Sequence, residues 1–284
     1  MAQVIGCVNT SHVPSIGRAI AQGLQKDPYW APFFDGFLPI HRWLEEVKPD
    51  AVVVFYNDHG LNFFLDKMPT FAIGAAPQYV NEDEGWGTPH FPPFESELDL
   101  SWQLINSLVE NDFDMTICQE MMVDHAFALP LEMLFPNQEK CPIPTVPISI
   151  NTVLYPFPSA RRCAQLGKTV GDAIRAWDSD KKVLVVGTGG LSHQLEGERA
   201  GHLNKKFDLQ FMDSLAQQDP NWVTQFSSED IIEEVGTAGL ELIMWVAARN
   251  TLKGPVTEIQ RNYHIPISNT AAATQAFAPA IKGV

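Results

Sequence analysis

The chain has 284 residues, enough for one large domain or two small ones, and 45% of them are hydrophobic, as in an ordinary globular protein. Its 34 acidic and 19 basic residues give a formal net charge of −15, which argues against nucleic acids and anionic membranes as partners, because both select basic surfaces. No apolar run approaches the roughly 20 residues that span a bilayer, the N-terminus lacks a signal-peptide pattern, and the four dispersed cysteines indicate neither a zinc ribbon nor a disulfide framework. We therefore expect a cytoplasmic protein.

Apolar runs and helical spacings alternate along the chain. The predicted strands are residues 3–9, 51–56, 70–75, 114–118, 144–150, 182–187 and 257–266. The predicted helices are residues 16–24, 38–47, 98–109, 127–135, 159–177, 204–217, 228–234 and 236–250. We also predict a packed irregular segment at residues 29–37 and a long loop at residues 81–93 that borders a site.

The alternation of strands and helices predicts a single α/β domain over residues 1–284. We expect three layers, α/β/α, around a central sheet that is mostly parallel or mixed. Residues 1–270 are predicted to form the core of this domain, and residues 271–284 a tail of small residues.

Three predicted strands run directly into a histidine. His12 follows the first predicted strand, His59 the second and His193 the sixth. In open α/β sheets, ligands bind at the carboxyl ends of strands, so these side chains are candidate site residues. The alternative for each is a hydrogen-bonded histidine in a strand-end turn. A fourth histidine, His125, is expected near the start of the fourth helix.

Three further patterns bear on a site. Glu241 lies within the apolar helix at residues 236–250, where a carboxylate is costly unless it is paired or metal-bound; the alternatives are a polar helix face or an ion pair with Arg249. The glycines between residues 187 and 190 match neither a Walker loop nor a Gly-x-Gly-x-x-Gly fingerprint. We interpret them as letting the backbone pass close to something bound. The acidic residues 82–84 offer a cation site, although a solvated loop is the favoured interpretation.

Together these residues indicate a metal site. Two imidazoles and one carboxylate that leave coordination positions open form the facial arrangement of non-haem Fe(II) oxygenases. Two further histidines could then act as acid and base, because their pKa lies near neutrality. A zinc-dependent hydrolase could use the same five residues, and their spacing alone does not decide between the two.

Six segments that carry these residues occur in a fixed order along the chain. They are Thr10-Ser11-His12-Val13-Pro14, Tyr56-Asn57-Asp58-His59, Asp83-Glu84-Gly85-Trp86-Gly87, Val123-Asp124-His125, Gly187-Thr188-Gly189-Gly190-Leu191-Ser192-His193-Gln194 and Gly239-Leu240-Glu241-Leu242. Together they resemble the class III extradiol ring-cleaving dioxygenases, above all the catalytic beta subunits of protocatechuate 4,5-dioxygenases and the gallate dioxygenases. The resemblance extends from residue 3 to about residue 270, whereas residues 89–97 and the tail look unlike that family.

The resemblance implies a set of roles at the metal. Fe(II) would be bound by His12, His59 and Glu241. His193 would act as the base that takes a proton from the substrate. His125 would hydrogen-bond the reacting oxygen and donate a proton later.

The resemblance also implies a substrate and partners. Asn57 would hold a substrate hydroxyl or orient a ligand, and Ser268 and Asn269 would meet a ring carboxylate. The reaction expected is extradiol cleavage of a carboxylated catechol with O₂: protocatechuate 4,5-cleavage first, gallate or 3-O-methylgallate cleavage as the alternative. A small alpha-type lid subunit is a possible partner, in a homodimer or heterotetramer. Two other interpretations are a zinc enzyme and a non-catalytic partner subunit on the same fold. A non-catalytic subunit is expected to lack some of the metal ligands, whereas this sequence contains all five site residues.

Overall fold

A mixed sheet lies at the centre of the structure, a computed structural model that describes residues 1–82, 84–85, 91–267 and 269–280. The strands of the described residues are β1 Gln3–Thr10, β2 Ala51–Tyr56, β3 Phe71–Gly74, β4 Gln78–Asn81, β5 Phe94–Glu95, β6 Thr116–Cys118, β7 Met122–Val123, β8 Thr145–Ile150, β9 Lys182–Thr188, β10 Val256–Ile267 and β11 Thr270–Pro279. The helices are α1 Pro14–Ala21, α2 Ala31–Phe34, α3 Leu38–Val47, α4 Leu98–Glu110, α5 His125–Leu134, α6 Ala160–Ala176, α7 Lys205–Leu215, α8 Ser228–Val235 and α9 Leu242–Asn250.

The main sheet has the strand order β10-β11-β1-β9-β2-β8-β3-β6. The neighbours β1, β9, β2 and β8 are parallel, whereas β11 pairs antiparallel with β1 and β3 pairs antiparallel with β8. All six residues of β2 are buried, as expected for a parallel strand covered on both faces. The carboxyl ends of four parallel strands therefore meet at one edge of the sheet.

Helices cover both faces of this sheet. Helices α4, α6 and α9 contribute to the apolar cluster on one face, and α1, α3 and α5 contribute to the cluster on the other. The predicted α/β architecture with three layers and a mixed sheet is confirmed. Within the described residues, every helix is too short or too polar to traverse a lipid bilayer.

The structure has a small second sheet of order β5-β4-β7, and the predicted loop at residues 81–93 begins at the end of its central strand, β4. Strand β4 pairs parallel with β7, so Asn81 lies opposite Val123. The backbone N–H of Glu82 then donates to the carbonyl of Val123 over 3.1 Å. This pairing brings the residues after β4 next to the start of α5. Residues 83 and 86–90 of that loop lie outside the described residues.

Two predictions about chain segments are wrong. Residues 271–279 do not form a tail, because they belong to β11, which lies between β10 and β1. Alanine is depleted in strands, so the run of small residues gave no strand signal; pairing on both edges and burial decide the outcome. Residues 29–37, predicted to be irregular, contain α2 and a short 3₁₀ helix, Asp35–Phe37.

Candidate active site

Three of the predicted site histidines meet at the carboxyl edge of the parallel strands. His12 follows β1, His59 follows β2 and His193 follows β9, and β9 lies between the other two strands. The ring centroids of His12 and His59 are 5.4 Å apart, and the rings are nearly perpendicular. The convergence follows from topology, because parallel neighbours end side by side.

Glu241 completes a group of three potential metal ligands. Its Oε1 atom lies 3.5 Å from Nε2 of His12 and 3.6 Å from Nε2 of His59. Ligands of one ion with bonds of about 2.0–2.2 Å lie roughly 3 Å apart, so both distances are close to the spacing between ligands of a shared divalent cation. Oxygen and neutral imidazole nitrogen are donors that suit iron as well as zinc.

The local structure around Glu241 differs from the prediction. Glu241 ends a 3₁₀ helix, Ala238–Glu241, and directly precedes α9 instead of lying inside a long helix. The alternative ion pair with Arg249 is wrong, because the Arg249 guanidinium donates to the carbonyls of Leu215 and Gln217. Glu241 is 5% exposed, so its charge needs compensation nearby.

Protein groups hold both oxygens of the Glu241 carboxylate. The side-chain amide of Asn57 donates to Oε1 over 3.0 Å, and the backbone N–H of Gly190 donates to Oε2 over 2.8 Å. Burial would raise the pKa of Glu241, but the charge of His12 and the hydrogen bonds from His12 and His59 hold it well below its usual value. The group is therefore a carboxylate at neutral pH. Burial also lowers the pKa of His12, which favours the neutral ring that a metal requires.

The glycines after β9 let the backbone pass against Glu241. Gly189 has φ +95°, and a Cβ atom built there would lie 2.7 Å from Cβ and 2.8 Å from Oε2 of Glu241. Real Cβ atoms essentially never approach so closely. The neighbour of this backbone is the side chain of Glu241, so the close approach is to a protein group, and the predicted passage along a bound molecule stays a prediction.

His193 presents one free ring nitrogen to this group. Its Nδ1 atom lies 2.8 Å from the carbonyl oxygen of Leu191, which assigns the proton to Nδ1. Nε2 is then an acceptor, 4.0 Å from Oε2 of Glu241. This is the arrangement that a general base requires.

His125, the first residue of α5, lines the same cavity as the other three histidines. Its ring stacks on that of His59 with centroids 4.4 Å apart, and its Nδ1 atom lies 2.9 Å from Oε1 of Glu84. Ring nitrogens of His12, His59 and His125 lie within 4.8 Å of one another, so these three histidines form a second possible ligand group. The group of His12, His59 and Glu241 includes a negative charge that would offset the charge of a cation, whereas the group of three histidines has none.

All five of these side chains and Asn57 line one cavity of about 610 Å³, a volume in the range of small-molecule sites. Asn269 does not belong to the described cavity wall: it lies exposed in the turn after β10, with φ +64°, whereas the next residue, Thr270, lines the cavity. The role predicted for Ser268 lies outside the described residues.

Comparison with known proteins decides the family. Residues 6–273 match the family model described as "Catalytic LigB subunit of aromatic ring-opening dioxygenase". The chain belongs to this family. The predicted resemblance to extradiol dioxygenases and the predicted enzyme class are thereby confirmed.

Several curated members of the family are similar to the chain. A gallate dioxygenase from Pseudomonas putida is 36% identical over 192 residues, which is 68% of this chain and 56% of that protein, so the chain spans little more than half of its length. A 2,3-dihydroxyphenylpropionate/2,3-dihydroxicinnamic acid 1,2-dioxygenase from Xanthobacter autotrophicus is 31% identical over 81% of this chain and 85% of that protein. An enzyme of the same name from Rhodococcus sp is 29% identical over 84% and 86%.

Among solved structures, the crystal structure of uncharacterized protein JW3007 from Escherichia coli K12 superposes with a TM-score of 0.54. The match covers 96% of this chain and 99% of that one at 14% sequence identity, so it supports the fold alone.

Sequence reasoning missed two carboxylates that hold site histidines of this LigB-family chain. Asp124, which is fully buried, accepts a hydrogen bond from the ring of His59, and Glu84 accepts from the ring and the backbone N–H of His125. The available signals are the position of Asp124 just before a helix and the acidic residues 82–84, for which the sequence alone favours a solvated loop. Metal-bound histidines usually donate their second N–H to such a partner.

Proposed function

We propose that the protein is an Fe(II)-dependent extradiol dioxygenase that cleaves a carboxylated catechol with O₂, with protocatechuate as the principal substrate. The observation that carries the proposal is the position of one Glu241 oxygen 3.5 and 3.6 Å from the ring nitrogens of His12 and His59, in the wall of a cavity that His193 also lines. Two neutral imidazoles and one carboxylate form the facial set of non-haem iron oxygenases.

The chain's own residues then divide the work. His12, His59 and Glu241 would hold the iron, which when bound would lower the pKa of adjacent ring hydroxyls and supply electrons to dioxygen. His193, with Nε2 unprotonated, accepts a proton from a substrate hydroxyl. The ring of His125 stacks on that of His59, and His125 donates a hydrogen bond or a proton to the reacting oxygen.

Two supporting groups keep this arrangement in place. Nδ2 of Asn57 lies 3.0 Å from Oε1 of Glu241 and 3.2 Å from Nε2 of His59. Of the two roles expected for Asn57, these contacts favour orienting the metal ligands over binding a substrate hydroxyl. The hydrogen bonds of Glu84 fix the ring of His125 at the start of α5. Such support keeps catalytic groups within a fraction of an ångström of the productive geometry.

The substrate class rests on the relatives, whereas the choice of protocatechuate within that class rests on the sequence segments that resemble protocatechuate 4,5-dioxygenases. The gallate dioxygenase and the 2,3-dihydroxyphenylpropionate 1,2-dioxygenases both act, by name, on hydroxylated aromatic acids. This supports a carboxylated ring with adjacent hydroxyls and keeps gallate, 3-O-methylgallate and dihydroxyphenylpropionate as alternatives to protocatechuate.

Oxygen uptake after anaerobic reconstitution with Fe(II) tests the proposal. We expect O₂ consumption with protocatechuate, a lower kcat/KM with gallate and with 2,3-dihydroxyphenylpropionate, and iron as the metal in the purified protein. Absence of uptake with every catechol, or tightly held zinc with hydrolytic activity, would contradict it.

The assembly and location complete the proposal. Val153 and Leu195, 39% and 60% exposed, lie in the cavity wall, and an alpha-type lid subunit would cover them, in a heterotetramer; a lidless homodimer is the alternative. Light scattering of the protein alone and after co-expression with such a subunit distinguishes the two. The cysteines are free thiols, as expected for the reducing cytoplasm that we propose as its location.

A further inference from the structure

A buried carboxylate outside the cavity has no task in the proposed mechanism. Asp208 lies in the first turn of α7 and is completely buried. The hydroxyls of Ser192 and Tyr263 both donate to its Oδ2 atom, over 2.6 and 2.7 Å. Burial raises the pKa of Asp208 to about 6, although these hydrogen bonds lower it, so the group is mainly a carboxylate at neutral pH.

The third donor to Asp208 is a backbone group next to the proposed base. The N–H of Ser192 donates to Oδ1 over 3.0 Å. This N–H belongs to the peptide group that links Leu191 to Ser192, and the carbonyl of the same peptide group accepts from Nδ1 of His193 over 2.8 Å. A peptide group is planar, and in the trans form its N–H and C=O point in opposite directions. One rigid unit therefore connects the Asp208 carboxylate to the ring of His193.

On either side of this peptide group, the segment is held by backbone groups of β11 and α8. The N–H of Leu191 donates to the carbonyl of Ala271 over 2.9 Å, and the N–H of His193 donates to the carbonyl of Val235 over 2.8 Å. The N–H of Ser192 lies between these two, and its acceptor is a side chain of α7. The orientation of this peptide group therefore depends on that side chain.

We propose that Asp208 is a positioning residue for His193 and acts through the peptide group between them. The carboxylate fixes this peptide group, and the peptide carbonyl holds the ring proton on Nδ1, so that Nε2 stays an acceptor. The hydrogen bond at one ring nitrogen decides which tautomer the other nitrogen presents. The inference rests on the proposed function for the role of His193 as the base.

Three variants separate this role from a structural one, measured as O₂ uptake by the Fe(II)-loaded protein with protocatechuate. Asp208→Ala removes the acceptor and should lower kcat/KM at least about tenfold, but less than the roughly 100-fold loss expected when the base itself is removed. Asp208→Asn keeps an oxygen for the N–H of Ser192, and its NH₂ group can donate to the two hydroxyls, so it should restore most of the loss. Tyr263→Phe is the matched control, because it removes one hydrogen bond of the same carboxylate and leaves the peptide contact; it should keep the wild-type kcat/KM.

The ring tautomer of His193 is measured without turnover. Full-length protein labelled with ¹⁵N is loaded with Zn(II), a diamagnetic substitute that binds histidine and carboxylate ligands, and its histidine rings are observed by long-range ¹H–¹⁵N NMR. The signals of His193 are identified by their absence in His193→Gln. We expect the proton on Nδ1 alone in the wild type, in Tyr263→Phe and in Asp208→Asn, whereas Asp208→Ala should also contain the Nε2–H tautomer.

Each outcome decides the inference. A wild-type protein with the proton on Nε2 of His193 would overturn it, and this measurement does not need Asp208→Ala to fold. The inference also fails if Asp208→Ala keeps the wild-type kcat/KM or tautomer, if Asp208→Asn is no better than Asp208→Ala, or if Tyr263→Phe loses as much. If no catechol supports O₂ uptake by the wild type, the proposed function fails, and the tautomers alone decide the role of Asp208.

Discussion

Oδ2 of Asp124 lies 3.0 Å from Nδ1 of His59 and accepts a second hydrogen bond, of 2.9 Å, from the backbone N–H of the same histidine. Its Oδ1 atom accepts from the backbone N–H of Ala126 and caps α5. Burial would raise the pKa of Asp124, but the hydrogen bond and charge of His59 lower it to about 2. An ionised Asp124 therefore accepts the Nδ1–H of His59 and orients its ring. Burial would lower the pKa of His59, but Asp124 and Glu241 raise it well above its usual value, so a metal bound at Nε2 would displace a proton.

Asp124→Asn separates this role from helix capping. Asparagine caps helices as well as aspartate does, so α5 should persist, but an amide NH₂ would replace Oδ2 and face two N–H groups of His59. We expect Fe(II) affinity to fall about 10- to 100-fold, as for other changes of this kind, measured by titration against a competing chelator.

Asp230→Asn is the matched control, because Asp230 takes part in the capping box of α8 and has no contact with a ring. It should leave the affinity unchanged. Equal affinities for Asp124→Asn and the wild type would show that Asp124 does not orient His59.

The proposed metal ligands and the proposed base should respond differently to substitution. His12→Ala should lose iron, because one of three ligands is gone. His193→Ala should keep iron but lose turnover by at least about 100-fold, the usual contribution of a general base. Iron content after desalting and O₂ uptake measure the two effects. His202→Ala is the control, because His202 lies outside the cavity and contacts the carbonyl of Glu234; it should retain both iron and turnover. If His12→Ala keeps iron, His12 is not a metal ligand.

Gly189→Ala tests whether the close approach to Glu241 positions the carboxylate. The new Cβ would lie 2.7 Å from Cβ of Glu241, so the acid or the backbone must shift. We expect loss of iron binding and a Tm lower by several degrees, at roughly 2–4 °C per kcal/mol for a chain of this size. Iron titration and thermal unfolding measure the two.

Gly197→Ala is the control for backbone strain alone. Gly197 also has a positive φ, +76°, but a Cβ there would meet nothing within 4 Å. It should lower the Tm and leave iron binding intact. If both variants lose iron equally, the contact between Gly189 and Glu241 does not matter for the site.

Local patterns explain what the sequence could predict. A buried strand that ends in a histidine is visible within ten residues, and parallel pairing then brings His12, His59 and His193 to one edge. The same holds for α6, whose apolar face and Ser159 cap are both local signals. These elements needed no knowledge of the rest of the chain.

What escaped prediction depends on contacts between distant residues. Asp124 and His59 are 65 positions apart, and Glu84 and His125 are 41 apart. Asp124 precedes a helix and Glu84 belongs to an acidic run, but neither signal identifies the partner histidine before the fold brings it close. Strand β11 escaped for the same reason, because its alanines become a strand only between two neighbours.

Stability should also depend on a carboxyl group away from the site. Glu132, on α5, is half-buried, and burial raises its pKa to about 7. Its pKa in the unfolded chain is about 4.3, so the folded state binds the proton more tightly. The contribution to stability is then fully present below about pH 4.3 and is lost as the pH rises through about 7.

Glu132→Gln should therefore stabilise the protein at pH 8, where the wild type buries a charge, by about 1–2 kcal/mol after allowance for solvent screening. The gain should shrink to near zero at pH 4.5, because the wild-type side chain is then protonated in the folded state. Urea unfolding at the two pH values measures the free energy of unfolding. Glu46→Gln, at an exposed position on α3, should change it little at either pH. A gain for Glu132→Gln that is equal at both pH values would show that the buried charge is not its source.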